Sequence, residues 1–225
     1  MEGERIAIIR ERLRAESDPE RAKAAQAYMR SSIPSLGVRV PVVRRMVLAT
    51  ARELPFGSPE ELRDDVLTLW REATWREERY AAIDLTSLKS VAGDLEMLPL
   101  YEEIIRIGAW WDFVDGVSER ICTLLQHHRN ILTPLLRSWA VDEDFWIRRA
   151  AITAQLKAKA ATDLELFAAV LDPNLRDKEF FIMKAIGWSL REYAKTDAQW
   201  VRNYVESKRA ALSPLSLREA LKNLA

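Results

Sequence analysis

Two stretches of the chain resemble each other, and their spacing limits the possible folds more than any other feature. FWIRRAAI begins at Phe145, and FFIMKAIG begins at Phe180, thirty-five residues later. A shorter copy, RYAAI from Arg79, begins sixty-nine residues before RRAAI at Arg148, which is close to twice that spacing. A helix pair that recurs at such a length is typical of stacked helical repeats, in which each unit packs on its neighbours. The recurrence predicts an all-α solenoid of HEAT-like units.

Composition favours helices along the whole chain. Of the 225 residues, 48% are hydrophobic and 30% are charged, and only seven glycines and nine prolines occur. No segment alternates in the manner of a β-strand. Two helix starts are explicit, because Asp18-Pro19-Glu20 and Ser58-Pro59-Glu60 each place a capping side chain before a proline at the first helical position. Glu61 is placed to complete a capping box with Ser58.

Several classes of protein are excluded. No run of eighteen apolar residues is present for a membrane span, and MEGERIAIIRERLRAE at the start predicts a charged amphipathic helix rather than a signal peptide. We therefore expect no membrane association and a cytoplasmic location. The single cysteine, Cys122, excludes an intramolecular disulfide, and with only His127 and His128 nearby the sequence lacks the spacing of a metal site. Thiol chemistry and bound zinc are not expected.

Charge is balanced over the whole chain but not along it. From Phe145 to the end, 14 Lys and Arg stand against 9 Asp and Glu, whereas the preceding 144 residues carry 20 against 25. The C-terminal third therefore has an excess of five positive charges, and the rest has an excess of five negative ones. This distribution indicates that an anionic partner binds to the C-terminal third.

The segment KEFFIMKAIGWSLREYAK, residues 178–195, predicts a helix with an unusual outer face. At 100° per residue, the apolar stripe for the core consists of Ile182, Ile186, Leu190 and Tyr193. The other side carries, within an arc of roughly 80°, Phe181, Lys184, Trp188, Arg191 and Lys195. Two interpretations are open. Either Trp188 packs under a neighbouring helix beside solvated cations, or the face binds an anionic partner with flat rings, for which nucleic acid is the obvious candidate.

The segment WIRRAAITAQLKAK, residues 146–159, predicts a helix that packs on two sides. One apolar stripe contains Ile147 and Ala151, and a second contains Ile152 and Leu156. Between the two stripes runs a polar strip of Trp146, Arg149, Thr153 and Lys157. We expect this strip to be exposed on the concave surface of the array, with Arg149 facing the same groove as Trp188.

GAWWDFVD, residues 108–115, places an indole and a carboxylate one helical turn apart, at Trp111 and Asp115. Two interpretations are again open. In the first, Trp111 is a packing residue and Asp115 merely pairs with a cation such as Arg149. In the second, the carboxylate stabilises a cationic, oxocarbenium-like sugar or positions a water molecule for attack on it.

Five strings together resemble the AlkD family of alkylpurine DNA glycosylases. In chain order they are AYMRSSIPSLGVRVP, WWDFVD, FWIRRAAITAQLK, DKEFFIMKAIGWSLREYAKT and LSPLSLREALK, and the resemblance extends from about residue 19 to residue 222. It implies one domain over residues 1–225, in which HEAT-like repeats stack into a curved right-handed α-solenoid with a concave DNA-binding face. It also implies monofunctional excision of N3- and N7-alkylated purines without a metal or an organic cofactor.

The resemblance assigns roles to individual residues. The catalytic set that it implies is Asp115 with its companion Trp111, the second cleft tryptophan Trp188, and Arg149, which directly precedes the two alanines of RRAA. The residues that we expect at DNA or the lesion are Tyr28, Arg148, Phe181, Lys184, Arg191 and Lys195. The neighbouring Arg148 is a departure that leaves open which of the two arginines contacts phosphate, although the alanine alignment favours Arg149 at the catalytic site.

The partner that the resemblance implies is double-stranded DNA containing alkylated purines, which stay largely stacked in the duplex during excision. We expect a monomer in the bacterial cytoplasm, with no obligate protein partner. No lysine is evident as a Schiff-base nucleophile, so the expected product is an abasic site in an uncut strand. Two alternatives are a solenoid that binds only proteins, and a family member that binds damaged or branched DNA without cutting it.

Overall fold

A computed structural model describes residues 3–224, and every regular element in that range is helical. Thirteen α-helices and four short 3-10 helices occur there, with no strand, so the predicted all-α class is confirmed. None of these helices is long and apolar enough to cross a membrane. The chain divides between Ala92 and Gly93 into two compact units. The single domain over residues 1–225 and the right-handed curvature of the solenoid stay predictions.

The first unit contains five helices. Their bounds are α1 Glu4–Ala15, α2 Pro19–Met29, α3 Val40–Glu53, α4 Pro59–Arg71 and α5 Arg76–Leu85. Helices α1, α3, α4 and α5 pack together, and their core includes the fully buried Leu13, Val43 and Leu62. The predicted charged N-terminal helix is α1, although its Met1 and Glu2 lie outside the described residues, as does Ala225 at the other end.

The second unit contains eight helices arranged as four successive pairs. Their bounds are α6 Leu98–Gly108, α7 Trp111–His127, α8 Arg129–Trp139, α9 Phe145–Thr153, α10 Leu164–Leu171, α11 Phe180–Tyr193, α12 Ala198–Lys208 and α13 Pro214–Leu221. The second helices of the pairs, α7, α9, α11 and α13, begin 34 or 35 residues apart, and each contacts the next. The recurrence found in the sequence therefore corresponds to a structural repeat. Cys122 on α7 is buried in this unit, and burial raises the pKa of its thiol.

Both predicted helix starts are confirmed. Asp18 caps α2 and Ser58 caps α4, each ahead of a proline at the first helical position. The reciprocal half of the predicted capping box differs, because Glu61 Oε2 accepts a hydrogen bond from the backbone N–H of Gly57 at 2.6 Å. The other carboxylate oxygen of Glu61 pairs with Arg5 on α1. Glu61 therefore links α4 to α1 and also accepts a hydrogen bond from the backbone just before α4.

Helix α11 follows the prediction closely. It begins and ends two residues inside the predicted segment, at Phe180 and Tyr193. Ile182, Ile186 and Leu190 of its inner stripe are fully buried, in a cluster with residues of α9, α10 and α12. Burial of this stripe fixes the orientation of α11, so the opposite side of the helix is turned away from this core.

The exposed polar strip predicted on α9 is wrong. The helix ends at Thr153, earlier than predicted, and Trp146, Arg149 and Thr153 are all buried, whereas Lys157 is exposed. The reason is that both neighbouring helices offer partners for this side of α9. Thr153 Oγ1 lies 2.9 Å from Ser118 Oγ of α7, and the ring of Trp146 packs against other aromatic rings. A polar stripe at helical spacing here marks a helix-to-helix contact.

Candidate functional site

Asp115 and Arg149 form a bidentate ion pair between α7 and α9. Arg149 Nε donates to Asp115 Oδ1 at 2.9 Å, and Nη2 donates to Oδ2 at 2.8 Å. The third nitrogen, Nη1, donates to the backbone carbonyl of Phe181 at 2.7 Å, at the start of α11. Each guanidinium nitrogen thus has an acceptor, and the arginine connects three helices.

A second polar contact between α7 and α9, one turn further along each helix, holds this ion pair in place. Ser118 lies three residues after Asp115, and Thr153 lies four residues after Arg149, and their hydroxyl groups are 2.9 Å apart. The N-terminus of α7 is set by Ala109, which takes a left-handed conformation with φ of 42° and ends α6. Asp115 therefore projects from the second turn of α7, on an interface that is fixed by a second polar contact.

Trp188 lies beside the ion pair. The Arg149 guanidinium carbon is 5.9 Å from the centroid of the Trp188 ring, which is within the range of a cation–π contact. Trp188 is on the outer side of α11 and is partly exposed. Trp111 is the first residue of α7, one turn before Asp115, and is also partly exposed. The structure thus brings Asp115, Arg149 and Trp188 together and keeps Trp111 on the helix of the carboxylate.

Burial controls the electrostatics of this site. The side chain of Arg149 is 5% exposed and that of Asp115 is 16% exposed. Loss of hydration raises the pKa of the Asp115 carboxyl, and the Arg149 hydrogen bonds and charge oppose that rise without cancelling it. Asp112, on the same helix, adds a smaller rise through charge repulsion. The carboxylate is therefore a more basic group than an ordinary aspartate.

The two adjacent arginines have different partners. Arg148 donates to Asp177 at 2.9 Å and to the backbone carbonyls of Asp142 and Glu143 at 2.7 and 3.1 Å. It therefore joins the segment before α9 to the segment before α11. Arg149 is the arginine beside Asp115, in agreement with the alignment of its following alanines. A contact of Arg148 with DNA stays a prediction.

The cations predicted for phosphate contacts are also paired in the free protein. Lys184 Nζ donates to Glu219 Oε1 at 3.0 Å, and Arg191 pairs with the other oxygen of the same carboxylate. Lys195, two residues after the end of α11, pairs with Glu192 of that helix at 2.6 Å and is well exposed. Lys184 and Arg191 lie on the same side of α11 as Trp188, four residues before it and three residues after it.

A cluster of three aromatic rings packs at the starts of α7, α9 and α11, and it was not predicted from the sequence. The Trp110 ring centroid lies 6.1 Å from that of Trp146 and 5.6 Å from that of Phe181, and the latter two are 4.9 Å apart. The ring of Phe181, predicted as a DNA contact, is therefore engaged in packing. A signal was present, because an aromatic doublet lies at the start of each of α7, α9 and α11: WW from Trp110, FW from Phe145 and FF from Phe180. Such doublets at equivalent repeat positions indicate a shared packing layer.

Comparisons with known proteins identify the family to which the chain belongs. Residues 9–224 match the family model described as DNA alkylation repair enzyme. The chain belongs to the DNA alkylation repair enzyme family. A solved structure described as a predicted DNA alkylation repair enzyme from Enterococcus faecalis is 31% identical, with a TM-score of 0.81. That match covers 93% of this chain and 97% of the other. A comparison with curated proteins gives no match.

The AlkD-like resemblance found in the sequence is thus confirmed at the level of the family. In this member of the family, the four predicted catalytic residues, Asp115, Trp111, Arg149 and Trp188, all belong to the second unit. Tyr28 belongs to the first unit, on α2, where its side chain is 75% exposed. Because α2 contains no buried residue, Tyr28 has no packing role that would explain its large ring.

Proposed function

We propose that the protein hydrolyses the N-glycosidic bond of cationic N3- and N7-alkylated purines in duplex DNA and leaves an abasic site. The observation that carries the proposal is the Asp115 carboxylate, nearly buried and held by Arg149, beside the indole of Trp188. Membership of the DNA alkylation repair enzyme family supports the same conclusion.

The substrate class explains why one carboxylate is enough. A purine alkylated at N3 or N7 carries a positive charge, so it can leave as a neutral base when the electrons of the glycosidic bond pass to its nitrogen. No general acid is needed to protonate the leaving group. The catalytic task is to stabilise the positive charge that spreads from the base to the sugar as the bond breaks.

Asp115 is suited to that task because its carboxylate cannot reorient. Arg149 holds both oxygens through its fork of donors, and each oxygen retains a lone pair for a cationic sugar or a water molecule. Arg149 is itself anchored by the Phe181 carbonyl. The role of Arg149 is therefore to orient Asp115, and a phosphate would have to compete with three existing hydrogen bonds to reach it.

The second step adds water to the sugar. With the base gone, the C1′ atom is electron-poor, and a water molecule bonded to Asp115 can attack it. The new C–O bond forms as the water proton passes to the carboxylate, whose raised pKa makes it a better base than an ordinary aspartate. Trp188 and Trp111 present ring faces, which carry partial negative charge, to the cationic intermediate. No covalent bond to the protein is required.

DNA is held by cations next to this site, in this proposal. Lys184 and Arg191 lie on α11 on either side of Trp188, Lys195 follows the end of the helix, and all three bind phosphates. The lesion stays stacked in the duplex and the backbone is gripped at the modified nucleotide, which leaves room for adducts larger than methyl.

The test is the release of 7-methylguanine from methylated duplex DNA, measured under single-turnover conditions at low salt. Wild type should release the base, and Asp115→Asn should be slower by about 100- to 1,000-fold, the usual loss when one electrostatic stabiliser is removed. The matched control is Asp142→Asn, which breaks the bidentate ion pair between Asp142 and Arg106 in the same unit. This control should keep the wild-type rate.

The other outcomes separate the alternatives. Equal rates for wild type and Asp115→Asn would remove Asp115 from the mechanism. Tight binding of methylated DNA without release by wild type would favour the non-cutting family member, once a bulky N7 adduct had also failed as a substrate. Failure to bind duplex DNA at all would favour a protein-binding solenoid.

A further inference from the structure

A single carboxylate on α13 bridges two cations on α11. Glu219 Oε1 accepts from Lys184 Nζ at 3.0 Å, and Oε2 accepts from Arg191 Nη1. The two cations are seven residues apart, two turns along one face of the helix, with Trp188 between them. Lys184 and Arg191 both lower the pKa of the Glu219 carboxyl, so the carboxylate is ionised at neutral pH. The triad carries a net charge of +1.

The three groups differ in depth. The side chain of Glu219 is 14% exposed, whereas those of Arg191 and Lys184 are 24% and 39% exposed. The carboxylate is therefore the least exposed of the three groups, and both cations keep more contact with solvent. Among the described residues, each cation uses a single donor on Glu219, of the three that an ammonium has and the five that a guanidinium has. The unused donors are free for an anion that approaches from outside.

The position of Glu219 is fixed by a close contact between the helices. A Cβ added at Gly187 would lie 2.5 Å from Glu219 Cβ and 2.9 Å from the Ser216 carbonyl oxygen, so only glycine fits there. Ser216 Oγ also donates to the backbone carbonyl of Met183 at 2.9 Å. The start of the Glu219 side chain is thus held firmly against α11 at Gly187.

We propose that Lys184 and Arg191 form one site for a DNA phosphate, and that Glu219 is the positioning residue that holds both cations in place for it. The inference rests on the proposed function, because it supposes that this face of α11 binds DNA. Free lysine and arginine side chains lose much conformational freedom when they are ordered on a phosphate. In this protein Glu219 has already ordered them before DNA arrives.

The opposite expectation follows from charge alone. Glu219 is an anion close to the proposed phosphate, so its removal should strengthen binding if its only effect were repulsion. At an ionic strength of about 0.15 M the Debye length is about 8 Å, so salt weakens this repulsion only in part for a mostly buried carboxylate, and it does not change the loss of ordering. The sign of the effect therefore distinguishes positioning from repulsion.

The experiment measures the dissociation constant of the full-length protein for an undamaged DNA duplex, by fluorescence anisotropy at about 0.15 M salt. Glu219→Gln should bind about tenfold more weakly than wild type, as expected for the lost ordering of two long side chains. At saturating enzyme, the single-turnover excision rate of Glu219→Gln should equal that of wild type. The matched control is Glu192→Gln, the same change at the exposed partner of Lys195, which should bind no more weakly than wild type.

A second background separates positioning from a general effect on the fold. In Lys184→Met/Arg191→Met nothing is left for Glu219 to position, so adding Glu219→Gln should leave binding unchanged or strengthen it. Weaker binding from Glu219→Gln in both backgrounds would indicate that α13 has shifted and would overturn the proposal. Equal or tighter binding of the single variant would overturn it as well. If wild type binds DNA and Asp115→Asn slows excision as expected, either of these two contrary results for Glu219→Gln removes the positioning role alone. Failure of wild type to bind DNA removes the proposed function too.

Discussion

The Asp115–Arg149 pair is almost closed to solvent, and burial of two charges is favourable only when their geometry compensates for lost hydration. Here two parallel N–H···O bonds join the groups, and the Phe181 carbonyl takes the remaining arginine nitrogen. Removing either partner would leave an uncompensated buried charge. The pair therefore fixes one orientation of the carboxylate before any substrate binds, which is the condition for electrostatic catalysis.

The pH dependence of excision should report the titration of Asp115. Burial raises the pKa of this carboxyl above the ordinary value of 3.8. Only the ionised form stabilises a cationic sugar, so kcat/KM should fall by about tenfold per pH unit below the raised pKa. The midpoint of this acidic limb should lie above 3.8, and the measurement is kcat/KM for 7-methylguanine release across the acidic range.

The control for this pH profile is Asp115→Asn, whose small residual rate should show no such limb. Circular dichroism at each pH separates loss of the carboxylate charge from acid unfolding. An acidic limb with the same midpoint in Asp115→Asn would assign the titration to another group, and a midpoint below 3.8 would contradict the effect of burial.

At the scale of helices, α11 and α13 can approach each other closely because one residue at their contact has no side chain. Gly187 lies on α11 where a Cβ would meet both Glu219 and the backbone of Ser216. Alanine is the better helix former by about 1 kcal/mol, so Gly187→Ala would stabilise an isolated helix. In this protein the added methyl must push the helices apart, and overpacking of this kind costs about 1–3 kcal/mol.

We therefore expect Gly187→Ala to lower the free energy of unfolding, as measured by the midpoint of urea denaturation, in spite of the gain in helix propensity. The control is Gly57→Ala, where the added Cβ would meet only the carboxylate end of the flexible Glu61 side chain at 3.2 Å. That variant should change stability by less than about 0.5 kcal/mol. A Gly187→Ala variant as stable as wild type would mean that the two helices separate freely.

Helical periodicity predicted α11 well and α9 poorly, for a physical reason. A row of Ile182, Ile186 and Leu190 has one favourable environment, the core, so its spacing fixes the face that is buried. Arg149 and Thr153 have two favourable environments, solvent or a matching polar group on another helix. Their partners lie 34 and 35 residues away, and no local pattern identifies them. The sequence left open whether Asp115 pairs with a cation such as Arg149, the resemblance assigned both residues to the catalytic set, and the structure shows that they are paired.

At the scale of the whole molecule, net charge does not draw the protein to DNA, because 34 Lys and Arg balance 34 Asp and Glu. Attraction must come from local groups, and the C-terminal third has an excess of five positive charges. Tyr28 is the predicted contact in the first unit, whereas the ion pair and the cations of α11 lie in the second. If both units bind one duplex, each should contribute separately to affinity.

Tyr28→Ala tests the contribution of the first unit. Its ring is 75% exposed on a helix with no buried residue, so its loss should leave the free energy of unfolding within about 0.5 kcal/mol of wild type. An aromatic ring that stacks on a base or sugar contributes about 1–3 kcal/mol to binding, so affinity for methylated duplex should fall by about tenfold. Val40→Ala, another exposed apolar residue of the same unit, should leave affinity unchanged. Unchanged affinity in Tyr28→Ala, measured by anisotropy beside a wild-type unfolding curve, would confine DNA binding to the second unit.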